Sequence, residues 1–188
     1  MTMHIITPPA VEPVTLAEAR AFLKTSAASE DAVITQLLRT ARETVETQAG
    51  LALITQTWRL HLDRWPRSGR IALYRYPIRE VTEVRAYRPD GTPVIIVPGE
   101  RHLHQGSRPQ RLYLSQRTDS SSLGGLEIDF TAGFGDTGAD VPDGLKHAIL
   151  TLTAHLYEFR GAFDGEAQPV SFPPAFDRLV QVWRRVSL

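Results

Sequence analysis

The chain has 188 residues, 21 basic and 21 acidic side chains, six histidines and no cysteine. A hydrophobic fraction of 42% with 22% charged residues fits one globular domain, or one domain with a sizeable insertion, and excludes general disorder. The lack of cysteine removes disulfides, thiolate metal sites and cysteine nucleophiles together, and no apolar run approaches the ~18 residues needed to cross a bilayer.

The first ten residues lack a basic start followed by an apolar run, so no signal peptide is expected and an intracellular soluble protein is the default. Residues 1–14 read as an extended arm, because Pro8, Pro9 and Pro13 oppose helix. Thr15 followed three residues later by Glu18 predicts a capping box and a first helix with Leu16, Ala19, Phe22 and Leu23 on one face. Ser29, Glu30 and Asp31 suit the start of a second helix. Its apolar stripe is Val33, Ile34, Leu37, Leu38, Ala41 and Val45, and Gly50 is its stop.

The period changes after Gly50. Ile54, Trp58, Leu60 and Leu62 alternate with Thr55, Thr57, Arg59 and His61, which predicts a half-buried strand. Further short strands are expected near 71–74, 81–87, 94–97, 111–114 and 126–130, separated by turn signals at 65–69, 89–91 and 120–125. Helix returns at Asp140 and Pro142 with a stripe of Leu145, Ala148, Ile149, Leu152, Leu156 and Phe159, stopped by Gly161. After a loop over 162–174, Phe176, Leu179, Val180, Trp183 and Val186 form the apolar face of a last helix. The expected fold class is α+β: a helical bundle over 15–50 and 140–188, interrupted by a small antiparallel β insertion over 51–139.

The zero net charge hides an uneven distribution. Residues 1–50 carry four basic and six acidic side chains, residues 51–120 twelve and six, and residues 121–188 five and nine. Nineteen of the basic residues are arginine. Such a central basic segment suits nucleic acid or acidic neighbours in an assembly, or is a solvated face with ordinary ion pairs. Trp58, Trp65, Tyr74, Tyr76 and Tyr87 are interleaved with Arg59, Arg64, Arg75, Arg79 and Arg85. That pattern fits a single-stranded nucleic-acid platform and also an interface rich in tyrosine and arginine.

No catalytic set stands out, so no enzymatic activity and no cofactor are expected. His102 and His104 would share one face of a strand, but no third ligand sits at a metal-binding spacing. His155 and Glu158 read as a helix-surface pair, and His147 as a packing or interface residue. Gly124-Gly125 precedes a strand and not a helix, and the turn after the last strand, 131–136, lacks the lysine of a phosphate loop. Glu127 and Asp129 alternate on a strand and are expected to face solvent.

Four segments in order resemble a known family. They are 13–19 (PVTLAEA), 53–58 (LITQTW), 130–136 (FTAGFGD) and 141–149 (VPDGLKHAI) leading to 155–160 (HLYEFR). This arrangement is similar to the head–tail connector, or adaptor, proteins of long-tailed phages and phage-derived gene transfer agents. The resemblance implies a structural protein at the neck of a phage-like particle, present in the bacterial host cytoplasm during assembly. It implies a cyclic homo-oligomer, expected as a dodecamer, bound below the portal protein. The ring would extend the channel for packaged DNA and dock the next neck or tail-completion protein, a stopper or terminator. No membrane partner and no metal are implied.

Within that reading the C-terminal segment reaches the portal, through Phe172, Phe176, Leu179, Val180, Trp183, Arg184, Arg185 and Val186. The alternative at the same helix is that its stripe completes the subunit's own core. The alternative for the whole chain is a nucleic-acid-binding module using the arginine-rich β segment, and a third is a small hydrolase whose site is not legible. The arginines at 59, 64, 75, 79 and 85 are expected to pair with acids or face outward, since DNA must slide through a connector.

Overall fold

The computed structural model describes residues 1–115, 123–160 and 171–184. Thr15 caps the first helix, α1 (Leu16–Leu23). Its hydroxyl accepts from the Glu18 N–H at 3.2 Å, and the Glu18 carboxylate accepts from the Thr15 N–H at 2.7 Å. Those bonds hold the Glu18 carboxyl below its ordinary range.

Helix α2 (Asp31–Ala49) buries Ile34, Leu38, Ala41 and Val45, and Gly50 ends it at φ 65°, a conformation glycine adopts without strain. Helix α3 (Asp143–Glu158) buries Leu145, Ala148, Ile149 and Leu152, and α4 (Pro174–Gln181) buries Phe176 and Val180. Both α2 and α4 pack on α3. Between α2 and the sheets, Leu51, Ala52, Leu53 and Ile54 are fully enclosed. These elements belong to one compact unit, Val11–Ile54 with Gly135–Leu188.

A second unit, Met1–Ala10 with Thr55–Phe134, contains the eight strands of the described residues. They are β1 (Thr2–Thr7), β2 (Gln56–Leu62), β3 (Arg70–Leu73), β4 (Ile78–Tyr87), β5 (Pro93–Ile95), β6 (Arg101–His104), β7 (Gln110–Leu114) and β8 (Leu126–Ala132). One antiparallel sheet has the order β1-β2-β8-β4-β5 and another the order β3-β7-β6. Strand β8 is central: Phe130 lies opposite both Trp58 and Val81, and Ile128 opposite both Leu60 and Val84. These six side chains are buried, as are Ile71, Leu73, Leu112 and Leu114 of the smaller sheet. Period-two alternation thus places one face of each sheet in the core. Buried Gln110 joins the sheets, its Oε1 accepting from the Ile78 N–H at 2.5 Å and its Nε2 donating to the Ile78 carbonyl at 3.4 Å.

This architecture overturns the expected helical bundle with a small β insertion. Among the described residues the fold is mixed α/β, with four α-helices and two antiparallel sheets, and strand is about as common as helix. One strand absent from the sequence reading, and one considered there only as a place for His102 and His104, account for much of the difference. Thr2–Thr7, read as part of a loose arm, pairs with β2 from Thr2 opposite His61 to Thr7 opposite Thr57. Arg101–His104 pairs with β7 and completes a separate sheet.

Candidate functional site

The outer face of the five-stranded sheet carries a closed charge network. Arg59 on β2 holds Asp129 on β8 in a two-pronged pair, Nε to Oδ1 and Nη2 to Oδ2, both 2.6 Å. Arg85 on β4 grips Glu83 at 2.7 and 2.8 Å and reaches Glu127 at 3.2 Å and Asp129 at 3.0 Å. The Tyr87 hydroxyl donates to Glu127 at 2.9 Å. Hydrogen bonding to Asp129 raises the Arg59 pKa, and bonding to Glu83 raises that of Arg85. In turn Arg85 keeps Glu83 below the usual carboxylate range, and Glu127 pushes the Tyr87 phenol up. Glu127 and Asp129, expected to face solvent, are instead enclosed by their arginine partners.

This network decides much of the arginine–aromatic pattern. Arg59 and Arg85 are neutralised, Arg75 lies 4.4 Å over the ring of Trp58, and Arg79 donates to Thr55 at 3.2 Å. Arg64 is exposed. Trp58 is buried, and Arg108 covers Tyr76 at 4.9 Å. The interleaved residues therefore do not make one open stacking platform.

A second cluster lies in the helical unit. Arg42, with its side chain 5% exposed, bridges Glu12 at 2.7 Å and Glu46 at 2.8 Å, and contacts Glu43 at 3.2 Å. Glu46 also accepts from the Leu53 N–H at 2.8 Å, which fixes the segment after α2. The meeting of Arg42 with Glu12 was invisible from spacing, although the i, i+4 relation of Arg42 and Glu46 was readable. At the far end of α2, Glu30 accepts from the Tyr157 hydroxyl at 2.5 Å and from Arg160 at 2.6 Å. A cleft of about 440 Å³ is lined by Glu12, Thr15, Glu18, Asp136, Thr137 and Lys146 among others. Its mixed charges form no metal or nucleophile set.

The sequence-derived portal residues divide into two groups. Phe176 and Val180 are fully buried in the helical unit. Leu179 and Trp183 are half-buried, while Phe172 and Arg184 are exposed. The Phe172 ring tilts against that of Phe176 at 5.1 Å, and Arg184 donates to Gln48 and, at 3.1 Å, to Asp177. Arg185 and Val186 lie outside the described residues. Val182, off the helical stripe, is 80% exposed.

His102 and His104 both point outward from β6, as the alternation predicted. The His104 ring meets Tyr113 edge-on at 6.2 Å. His147 packs edge-on against Phe22 at 5.9 Å, and His155 tilts against Phe159 at 4.9 Å. Among the described residues there is no group of three metal-ligating side chains and no helix long and apolar enough to cross a membrane.

Chains of known structure share this fold. One, from the virion of a native gene transfer agent particle, is 25% identical with a TM-score of 0.83. Another, from the neck of an empty gene transfer agent particle computed with C6 symmetry, is 26% identical with a TM-score of 0.80. A third, from the neck of a native particle computed with C12 symmetry, is 26% identical with a TM-score of 0.81. Each match covers 100% of this chain and 97% of the other, so the helical and β units both have counterparts there. No model of a protein family matches the chain, and no curated protein matches it.

Proposed function

We propose that the chain is a structural, non-enzymatic component of the neck of a phage-like particle. In this reading it is an adaptor whose copies form a ring, expected as a dodecamer, below the portal. The ring extends the channel for packaged DNA and offers a surface to the next neck or tail-completion protein, and the subunit passes through the host cytoplasm during assembly. The observation that carries the proposal is the full-length likeness to gene transfer agent neck chains, in structures computed with C6 and C12 symmetry. A ring needs two different surfaces on each subunit that meet head to tail and close by rotation.

The portal contact is proposed at the outer edge of α4. Phe176 and Val180 hold the helix on its own subunit, leaving Phe172, Leu179, Val182, Trp183 and Arg184 to meet the portal, with Arg185 and Val186 following in sequence. Electron microscopy of purified particles tests the role. A ring of this chain at the neck is expected, and its absence there, or its presence inside the head, overturns the proposal.

A further inference from the structure

One edge of the five-stranded sheet carries two imidazoles face to face. His4 on β1 and His61 on β2 stack with ring centres 5.0 Å apart and planes 17° from parallel. Strand β1 pairs with β2 and is the outermost strand on that side of the sheet. Its side chains hold it weakly, since Met3 is half-buried and the other five residues are exposed. Apolar burial therefore contributes little to its docking, and such strands open at low free-energy cost.

The charges around the stack are unevenly placed. Arg59 lies directly opposite His4, and Thr2 directly opposite His61. Glu127 and Asp129 stand one strand further on, on β8, followed by Glu83 and Arg85 on β4. The Nδ1 of His61 is 3.4 Å from Glu127, so a proton on His61 has a carboxylate beside it. Among the described residues His4 meets no carboxylate, and a proton there faces the His61 ring and, across the strands, Arg59. At the start of β1 the Met1 amine lies 3.6 Å from Asp63, an exposed pair of the kind that contributes little.

Imidazole is the side chain whose ordinary charge change falls between pH 5 and 8. We propose that β1 is an acid-released strand, driven off β2 when His4 and His61 are both charged. A charged His4 is repelled by the charged His61 ring in the docked strand and escapes that repulsion on release. Glu127 belongs to β8 and stays beside His61 whether or not β1 is docked, so its attraction does not offset the effect. The released state thus binds protons more readily, and the docked population falls as pH falls. Two unit charges about 5 Å apart shift such an equilibrium about fourfold in bulk water, and more at a half-covered sheet edge. Release bares the main-chain edge of β2, a template for pairing with another chain.

The test is amide hydrogen exchange of the full-length chain at about pH 7.5 and about pH 5.5, on either side of the imidazole range. Rates are corrected for the intrinsic pH dependence and read on residues 2–7 and 126–132. Protection of β1 is expected to fall at least about fourfold in acid while that of β8 stays unchanged. H4Q and H61Q each leave a single imidazole at the stack and are expected to keep β1 equally protected at both pH values. H104Q removes an exposed histidine of β6 and is expected to retain the wild-type fall. The proposal is overturned by equal protection of wild-type β1 at both pH values, by an equal fall in β8, or by an undiminished acid loss in H4Q or H61Q. Loss of the pH dependence in H104Q overturns it too. So does a β1 that is unprotected even at the higher pH in both stack variants, which would make ring packing, and not charge, the hold on the strand.

Discussion

Replacing Arg42 by methionine tests the claim that an enclosed ion cluster organises the helical unit. The side chain is 5% exposed and Glu46 is 7% exposed, so the substitution strands a carboxylate with little access to water. Breaking a buried pair from one side costs about 3–5 kcal/mol. For a chain of this size each kcal/mol moves Tm by about 2–4 °C, so R42M is expected to lower it by about 6–20 °C. The double variant R42M/E46M removes the stranded charge but orphans the Leu53 N–H that Glu46 accepts, which leaves a cost of about 1–3 kcal/mol. The double variant is therefore expected to be more stable than R42M alone, a strong non-additivity. Thermal unfolding followed by circular dichroism, with R42M, E46M and the double variant side by side, reads this directly. A double variant as unstable as the sum of the single ones would refute the reasoning, as would an R42M protein within about 1 kcal/mol of wild type.

Three further outcomes follow from local geometry. A Cβ on Gly138 would meet the Pro13 carbonyl oxygen at 2.5 Å, so G138A is expected to lose about 1–3 kcal/mol in a denaturant titration. The two sides of α4 separate in a pair of variants. F176A empties a fully buried site and is expected to cost about 3–5 kcal/mol, whereas V182D leaves Tm unchanged and weakens portal binding in a pull-down. Glu30 is held below the ordinary carboxylate range, first by the Tyr157 hydroxyl and then by Arg160. Its contribution is complete above the unfolded value of about 4.3 and is lost as pH falls through the lowered folded value. Y157F should therefore flatten the decline of Tm below that pH, and an unchanged acid limb would count against the contact.

Local chemistry was legible where a residue acts on its near neighbours in sequence. The Thr15–Glu18 capping box, the Gly50 stop and the alternation through Trp58 and Leu60 appear as the sequence predicts, and of the α2 stripe Ile34, Leu38, Ala41 and Val45 are buried while Val33 is exposed. Strand β1 escaped notice because most of its side chains remain exposed, so no alternation marks it, and Pro8 and Pro9 dominate the segment. Strand β6 is four residues long and rich in histidine and arginine, so the sequence suggested a shared strand face for His102 and His104 but not the sheet that the strand completes. The division into two sheets depends on pairings such as Arg59 with Asp129, 70 residues apart, and no local pattern reports those. The same holds for the candidate surfaces. Arginine enrichment was plain, but which arginines find a carboxylate is set by strand register, and that register pairs Arg59 and Arg85 with Asp129.

The position of β8 has a consequence for how the chain reaches its fold during synthesis. Strands β1 and β2 are made early and β4 and β5 later, yet the strand that joins these pairs is the last of the eight to be made. Until Leu126–Ala132 leaves the ribosome, the nascent chain holds two narrow ribbons with the apolar flanks of Trp58, Leu60, Val81 and Val84 uncovered. Two-stranded ribbons are marginal in water, and their open edges invite pairing with other chains. Insertion of β8 closes both edges in one event that spans much of the sequence, a slow step by the standards of small domains. A ribosome stalled before residue 126 would therefore present an aggregation-prone intermediate, and one released just beyond residue 132 would carry every strand of both sheets.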